Sequence, residues 1–148
     1  MRFHYIARGI VWSEGRVLVA HQKGAANTFL PGGHIDLGER AESALIREIE
    51  EEIGHRATVK RFVGALEAEW TEDGEPQHEI NLLFEVVIPG LRPDPPPDSL
   101  ELHLEFFWVA PDDLAARNLL PSPLIDCLRN WDPERAFWGS AVGDDLTE

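Results

Sequence analysis

The segment that most constrains this chain runs from Thr28 to Gly54, where one kind of pattern gives way to another. Thr28-Phe29-Leu30 is a short apolar run stopped by Pro31-Gly32-Gly33, and two glycines after a proline mark backbone that bends or is closely approached. From Ala41 the spacing becomes helical. Leu45, Ile49 and Ile53 recur every four residues, and Gly54 stands where a helix stops in a left-handed residue. The flanking sequence reads as strand. His4 to Trp12 and Arg16 to Gln22, rich in β-branched and aromatic residues, are predicted to form a hairpin across Ser13-Glu14-Gly15. Thr58 to Glu69 and Glu79 to Val87 form a second predicted pair across Thr71-Glu72-Asp73-Gly74, and Glu105 to Val109 a further short strand. Ser122-Pro123 reads as N-cap and first residue of a second helix through Leu124, Ile125, Leu128 and Trp131. Strands before, between and after two helices predict an α/β (α+β) chain, an α/β/α sandwich around a mixed β-sheet.

Composition narrows the class. At 148 residues with 43% apolar content, the chain is expected to be one domain over residues 1–148 with its own core and a flexible acidic tail over 140–148. The single cysteine, Cys127, lies in an apolar stretch and reads as a small buried hydrophobe in a reducing compartment. The N-terminus enters strand-like sequence directly, without a basic region and apolar core of a leader, which leads us to expect a cytoplasmic protein with no membrane partner. A formal net charge of −14, from 27 acidic and 13 basic residues, would repel a phosphate backbone, so a long nucleic acid is not expected as partner. A phosphorylated small molecule fits an acidic protein only if some of the acids bind cations.

The helix supplies such acids. At roughly 100° per residue, Glu48, Glu51 and Glu52 form a stripe within an arc of roughly 100°, next to the apolar stripe. Like charges at this spacing cost only roughly 0.2–0.5 kcal/mol per exposed pair, so spacing by itself does not separate a binding face from a solvated one. The acids also lie near the C-terminal end, against the helix dipole. A hard cation offsets both costs. Mg²⁺ takes oxygen ligands, binding through one or two carboxylates plus substrate phosphates.

Gly33-His34-Ile35-Asp36-Leu37-Gly38-Glu39, continuing through Arg47-Glu48-Ile49-Glu50-Glu51-Glu52-Ile53-Gly54-His55, resembles the box of the Nudix hydrolase family, the MutT-like enzymes. Every fixed position of that pattern is met except the last, where His55 replaces an aliphatic residue. The strand order around it extends the resemblance over residues 3 to 131. The resemblance implies a Nudix-type sandwich carrying a loop–helix–loop. It also implies that Glu48, Glu51 and Glu52 bind catalytic Mg²⁺, with Mn²⁺ as the alternative ion, that Arg47 holds a box glutamate, and that Glu39 supports the metal site. Gly32, Gly33 and His34 become candidate substrate contacts. The implied activity is pyrophosphohydrolysis of a nucleoside diphosphate linked to another moiety, with a nucleoside di- or triphosphate the expected small nucleotide-like substrate and a nucleoside monophosphate the product. Glu52 is the preferred general base, with Glu101 or Glu105 as accessory candidates. Arg40, where many members carry a Ser or Thr cap, is expected to weaken the helix start by roughly 1 kcal/mol.

Other residues admit a functional reading but are first expected to be structural. Glu67, Glu69, His78 and Glu79 alternate along the second strand pair, and Trp70, Trp108, Trp131, Trp138, Phe3, Tyr5 and Phe29 are either core or stacking residues. The alternative from a different class is a Nudix-fold module that binds a nucleotide without cutting it. A homodimer is compatible with the strands or the second helix as interface.

Overall fold

The computed structural model describes residues 1–143. Two sheets form its centre. The larger holds β1 (Arg2–Ile10), β5 (Gly32–His34), β6 (Thr58–Glu72), β7 (Glu75–Val87) and β9 (Phe137–Ala141), in the order β5-β1-β7-β6-β9. It is mixed: β1 runs parallel to β7 and β6 parallel to β9, while the other pairs are antiparallel. The smaller sheet is antiparallel, with β3 (Arg16–Gln22) between β8 (Leu104–Val109) on one side and β2 (Trp12–Ser13) and β4 (Thr28–Phe29) on the other.

The predicted first hairpin needs correction. Only Trp12 and Ser13 pair with Val17 and Arg16. Arg2 to Ile10 joins the other sheet, in register with Gln77 to Glu85. Alternation tells which side chains share a face but not which distant strand supplies the partner. The β6–β7 hairpin forms as expected. It is longer than predicted, closing on Asp73 and Gly74 at φ 50° and 80°, the left-handed pair that a two-residue turn requires.

Helix α1 (Ala41–Ile53) ends at Gly54, whose φ of 82° accounts for the glycine there. Its buried stripe (Ala44, Leu45, Ile49, Ile53) packs on Ala7, Val86, Leu18, Ala20 and Phe106, filling one core. Helix α2 (Pro123–Arg129) sets Leu124 and Leu128 against Ile10, Val17, Val19, Leu66 and Leu83 in a second core. Adjacent residues of β3 thus enter opposite cores, and helices cover both faces. Two details of α2 differ from expectation. Ser122 has helical φ and ψ and makes no side-chain cap bond, so Pro123 alone marks the start. The helix stops at Arg129, leaving Trp131 to pack beside Trp12 at 5.4 Å between ring centroids.

Two residues of the expected tail pair in the sheet. Ser140 and Ala141 belong to β9; the Ser140 hydroxyl donates to Glu67 and the Gly143 amide to Glu69, both at 2.8 Å. Residues 144–148 lie outside the described residues. Among the described residues no helix is long and apolar enough to cross a membrane.

Candidate active site

The glycine pair brings the helix acids to the sheet. Strand β5 lies at the sheet edge beside β1, with Gly33 opposite Ala7 and Gly32 opposite Arg8. A Cβ on Gly33 would come within 2.5 Å of the Glu48 carboxylate. A Cβ on Gly32, at φ 141°, would overlap the Ala7 carbonyl oxygen. Bare backbone here lets α1 and β1 close on β5 from two sides.

Arg47 ties this corner together. Its Nε and Nη2 donate to the two carboxylate oxygens of Glu39 at 2.8 and 3.0 Å, a bidentate grip. Nη1 donates to Glu48 at 3.0 Å and Glu51 at 3.4 Å, and Nη2 to the His34 carbonyl at 3.2 Å. The resemblance assigned Arg47 one glutamate; it reaches three. These contacts hold the Arg47 pKa up and the Glu39 carboxyl below its ordinary value.

Glu52 is different. It is buried at 6% exposure, and its Oε1 has no partner. Burial pushes its pKa up to about 8; Arg8 and the Gly32 amide oppose that rise, while the Glu48 and Glu101 charges add to it. Glu48 is raised as well, chiefly by burial, against the pull of Arg47. Among the described residues no group of three or more His, Cys, Asp or Glu side chains forms a cage for a metal ion. The donors nonetheless suit a hard cation: they are carboxylate oxygens, and the orphaned Glu52 Oε1 is a buried acceptor that carries no hydrogen bond.

The accessory acids separate. The Leu100 amide donates to the Glu52 carbonyl at 2.8 Å, which docks the preceding loop on the end of α1 and brings the Glu101 charge into reach of Glu52. Glu105 points instead to His21, bonded to its Nδ1 at 2.8 Å. The Ala25 carbonyl, and then that bond, hold the His21 pKa up.

Beside the carboxylates lies a cleft of about 560 Å³. Its floor is one face of the large sheet, where alternate residues His4, Ile6 and Arg8 of β1 meet Glu79 and Asn81 of β7 and Ala68 and Trp70 of β6. Phe29, Leu120 and Pro121 form apolar wall. His4 bonds His34 Nε2 at 2.9 Å and Gln77 at 2.7 Å and stacks on Trp70 with ring centroids 5.4 Å apart. Burial and neighbouring His4 and Arg8 lower the His34 pKa. Asn81 donates to Glu79 at 2.6 Å.

Of the ambiguous residues, Glu69, Trp70, Glu79 and Phe29 therefore line the cleft. Phe3 and His78 stack together on the opposite face of the sheet, in register with each other. Trp108 packs against the core under α1, and Trp138 is exposed on β9. Cys127 is half-buried rather than fully buried, with its thiol pushed up to about 11 by burial. His4, Arg8 and Asn81 were not singled out from the sequence. A signal existed for Arg8, a charge in the otherwise apolar run Ile6-Ala7-Arg8-Gly9-Ile10.

The NUDIX-domain family model matches residues 3–133 of this chain. The chain belongs to the Nudix family. The segment Gly33–His55 is thereby its Nudix box. Over 82 residues the chain is 34% identical to an ADP-ribose pyrophosphatase of Methanocaldococcus jannaschii, covering 51% of this chain and 46% of that one. The chain spans less than half the length of the curated relatives it matches. Among solved structures, a Nudix hydrolase of Nitrosomonas europaea superposes with a TM-score of 0.69 at 18% identity, over 90% of this chain and 91% of that one. The mutator MutT protein of Bacillus halodurans superposes with a TM-score of 0.67 at 17% identity, over 93% and 88%. At such identities the superpositions show a shared Nudix fold.

Proposed function

We propose that this Nudix domain is a divalent-cation-dependent pyrophosphohydrolase acting on a nucleoside diphosphate linked to another moiety, with nucleoside di- and triphosphates as the preferred class. The observation that carries the reading is Glu52, whose buried oxygen has no partner and whose carboxyl feels the charges of Glu48 and of Arg8, a residue that lines the cleft. An acceptor buried without a donor costs about 1–3 kcal/mol, a cost that a bound ligand or cation removes. Glu48, Glu51 and Glu52 would hold Mg²⁺ or Mn²⁺. The bound cation would neutralise phosphate-oxygen charge and acidify a water. The chain's own part is to place the acceptors and the substrate. Arg47 holds Glu39, Glu48 and Glu51 in one arrangement, and Glu52, or Glu101 beside it, takes the proton of the attacking water. The water oxygen bonds to phosphorus as the bridging P–O bond breaks, and the freed oxygen leaves on the other phosphoryl group. A ring in the cleft would find Phe29 and Trp70 among its lining residues. The pyrophosphatase name of the archaeal relative supports the bond class.

The test incubates nucleotides and nucleotide conjugates with the protein, with and without Mg²⁺, and separates the products by chromatography, with Glu51→Gln and Glu52→Gln in parallel. Metal-dependent release of a nucleoside monophosphate, lost in both variants, is the expected result. Nucleotide binding without turnover in any condition would replace it with the binding-module reading.

A further inference from the structure

Among the described residues lining the cleft, Arg8 is the one lysine or arginine. It projects from the C-terminal half of β1, between the buried residues Ala7 and Gly9. A guanidinium in such a place costs desolvation unless something compensates it. Burial does lower its pKa, while the charges of Glu79, Glu52 and Glu48 raise it. Yet Arg8 forms no ion pair with these acids among the described residues. Its one side-chain hydrogen bond there runs from Nη1 to the Leu30 carbonyl at 3.0 Å. Its Cζ lies over the Phe29 ring, 5.2 Å from the centroid. These two contacts fix the guanidinium without using most of its five donors. Arg8 is among the residues that line the cleft, and among the described residues none of its nitrogens is a buried atom without a partner. The position is also specific: Gly32 is the register partner of Arg8, which sets the guanidinium on the strand next to the one that receives the box glutamates. Phe29 lies against Arg8, and the charges of Glu79, Glu52 and Glu48 act on it.

We infer that Arg8 contacts the substrate directly, donating to an oxygen of the phosphate attached to the nucleoside. The inference rests on the pyrophosphohydrolase reading and deepens it by naming the residue at the junction of the two halves of the site. An arginine fork matches a phosphate in geometry as well as charge, and a lysine reproduces only the charge. The acids of α1 would act on the phosphate oxygens only through a cation they hold, and Arg8 would engage the same group from the floor.

The test is equilibrium binding of the α,β-methylene diphosphates of adenosine, guanosine, cytidine and uridine, whose methylene bridge resists hydrolysis. It is run with Mg²⁺ and again in EDTA, on the parent protein, Arg8→Met and Arg8→Lys, with the matching phosphate-free nucleosides as controls. The expected result for the best-bound analogue is an affinity loss of about 10- to 100-fold in Arg8→Met, smaller in Arg8→Lys, in both conditions. Nucleoside affinity stays at the parental value. Parental affinity of Arg8→Met for the diphosphate overturns the inference. So does an equal loss for the nucleoside, which would make Arg8 a wall of the base site, and so does failure of the parent to bind any analogue. If Arg8→Met does not fold, Arg8→Lys decides by the same comparison. Parental turnover in the nucleotide panel separates the two readings: without it the functional reading fails, and with it only the role of Arg8 is at stake.

Discussion

Glu52 carries a carboxyl group whose folded-state pKa, about 8, lies above its ordinary value of 4.5 because burial disfavours the charged form. Folding therefore favours the proton on Glu52. Its contribution to stability is fully present below pH 4.5 and is lost as pH rises through about 8, by at most about 5 kcal/mol. In metal-free buffer, denaturant midpoints of the parent should fall over that window, and Glu52→Gln should flatten the slope. The paired glycines differ in what they tolerate. Gly32→Ala forces a Cβ into the Ala7 carbonyl at a φ suited to glycine, and should cost about 2–4 kcal/mol in a chemical melt. Gly33→Ala meets only the end of the Glu48 side chain, so turnover should drop more than stability.

Helix α1 has a strong C-terminal stop and a weak start. Arg40 sits at the N-cap with extended φ and ψ and makes no side-chain cap bond. Arg40→Ser should stabilise the protein by roughly 0.5–1 kcal/mol, read as a Tm increase of about 1–4 °C. The same helix depends on Arg47 to fasten the loop before it, through the fork on Glu39 and the bond to the His34 carbonyl. Arg47→Lys keeps the charge but loses the fork. It should lower kcat at least tenfold while moving Tm by only a few degrees, since the Arg47 side chain is about one-third exposed and its ion pairs are partly screened.

Across the whole molecule a formal net charge of −14 acts against compactness, and the helix acids concentrate that repulsion near the cleft. Raising monovalent salt from about 0.01 to about 0.15 M shortens the screening length from roughly 30 to roughly 8 Å. The Tm should rise over that range, and a flat response would mean that self-repulsion is negligible. The two cores share β3, with Leu18 and Ala20 in one and Val17 and Val19 in the other. Thermal unfolding by far-ultraviolet and tryptophan signals should accordingly coincide in one transition.

Local chemistry determined much of this protein. The period of four in Leu45, Ile49 and Ile53, the stop at Gly54, a turn within Thr71 to Gly74 and the spacing of the Nudix box all act within a few residues of chain, so they were legible before any fold was known. Tertiary structure decided what depends on distant neighbours. It sent Arg2 to Ile10 to pair with β7 rather than with β3, because alternation specifies a face and not a partner. It added β9, a short strand without enough residues to show a period, and ended α2 before Trp131. It separated Glu101 from Glu105 by giving one to Glu52 and the other to His21. Above all it assembled the cleft. His4, Arg8, Glu79 and Asn81 come from two strands far apart in sequence, and only parallel pairing in register sets their side chains on one face beside the helix acids.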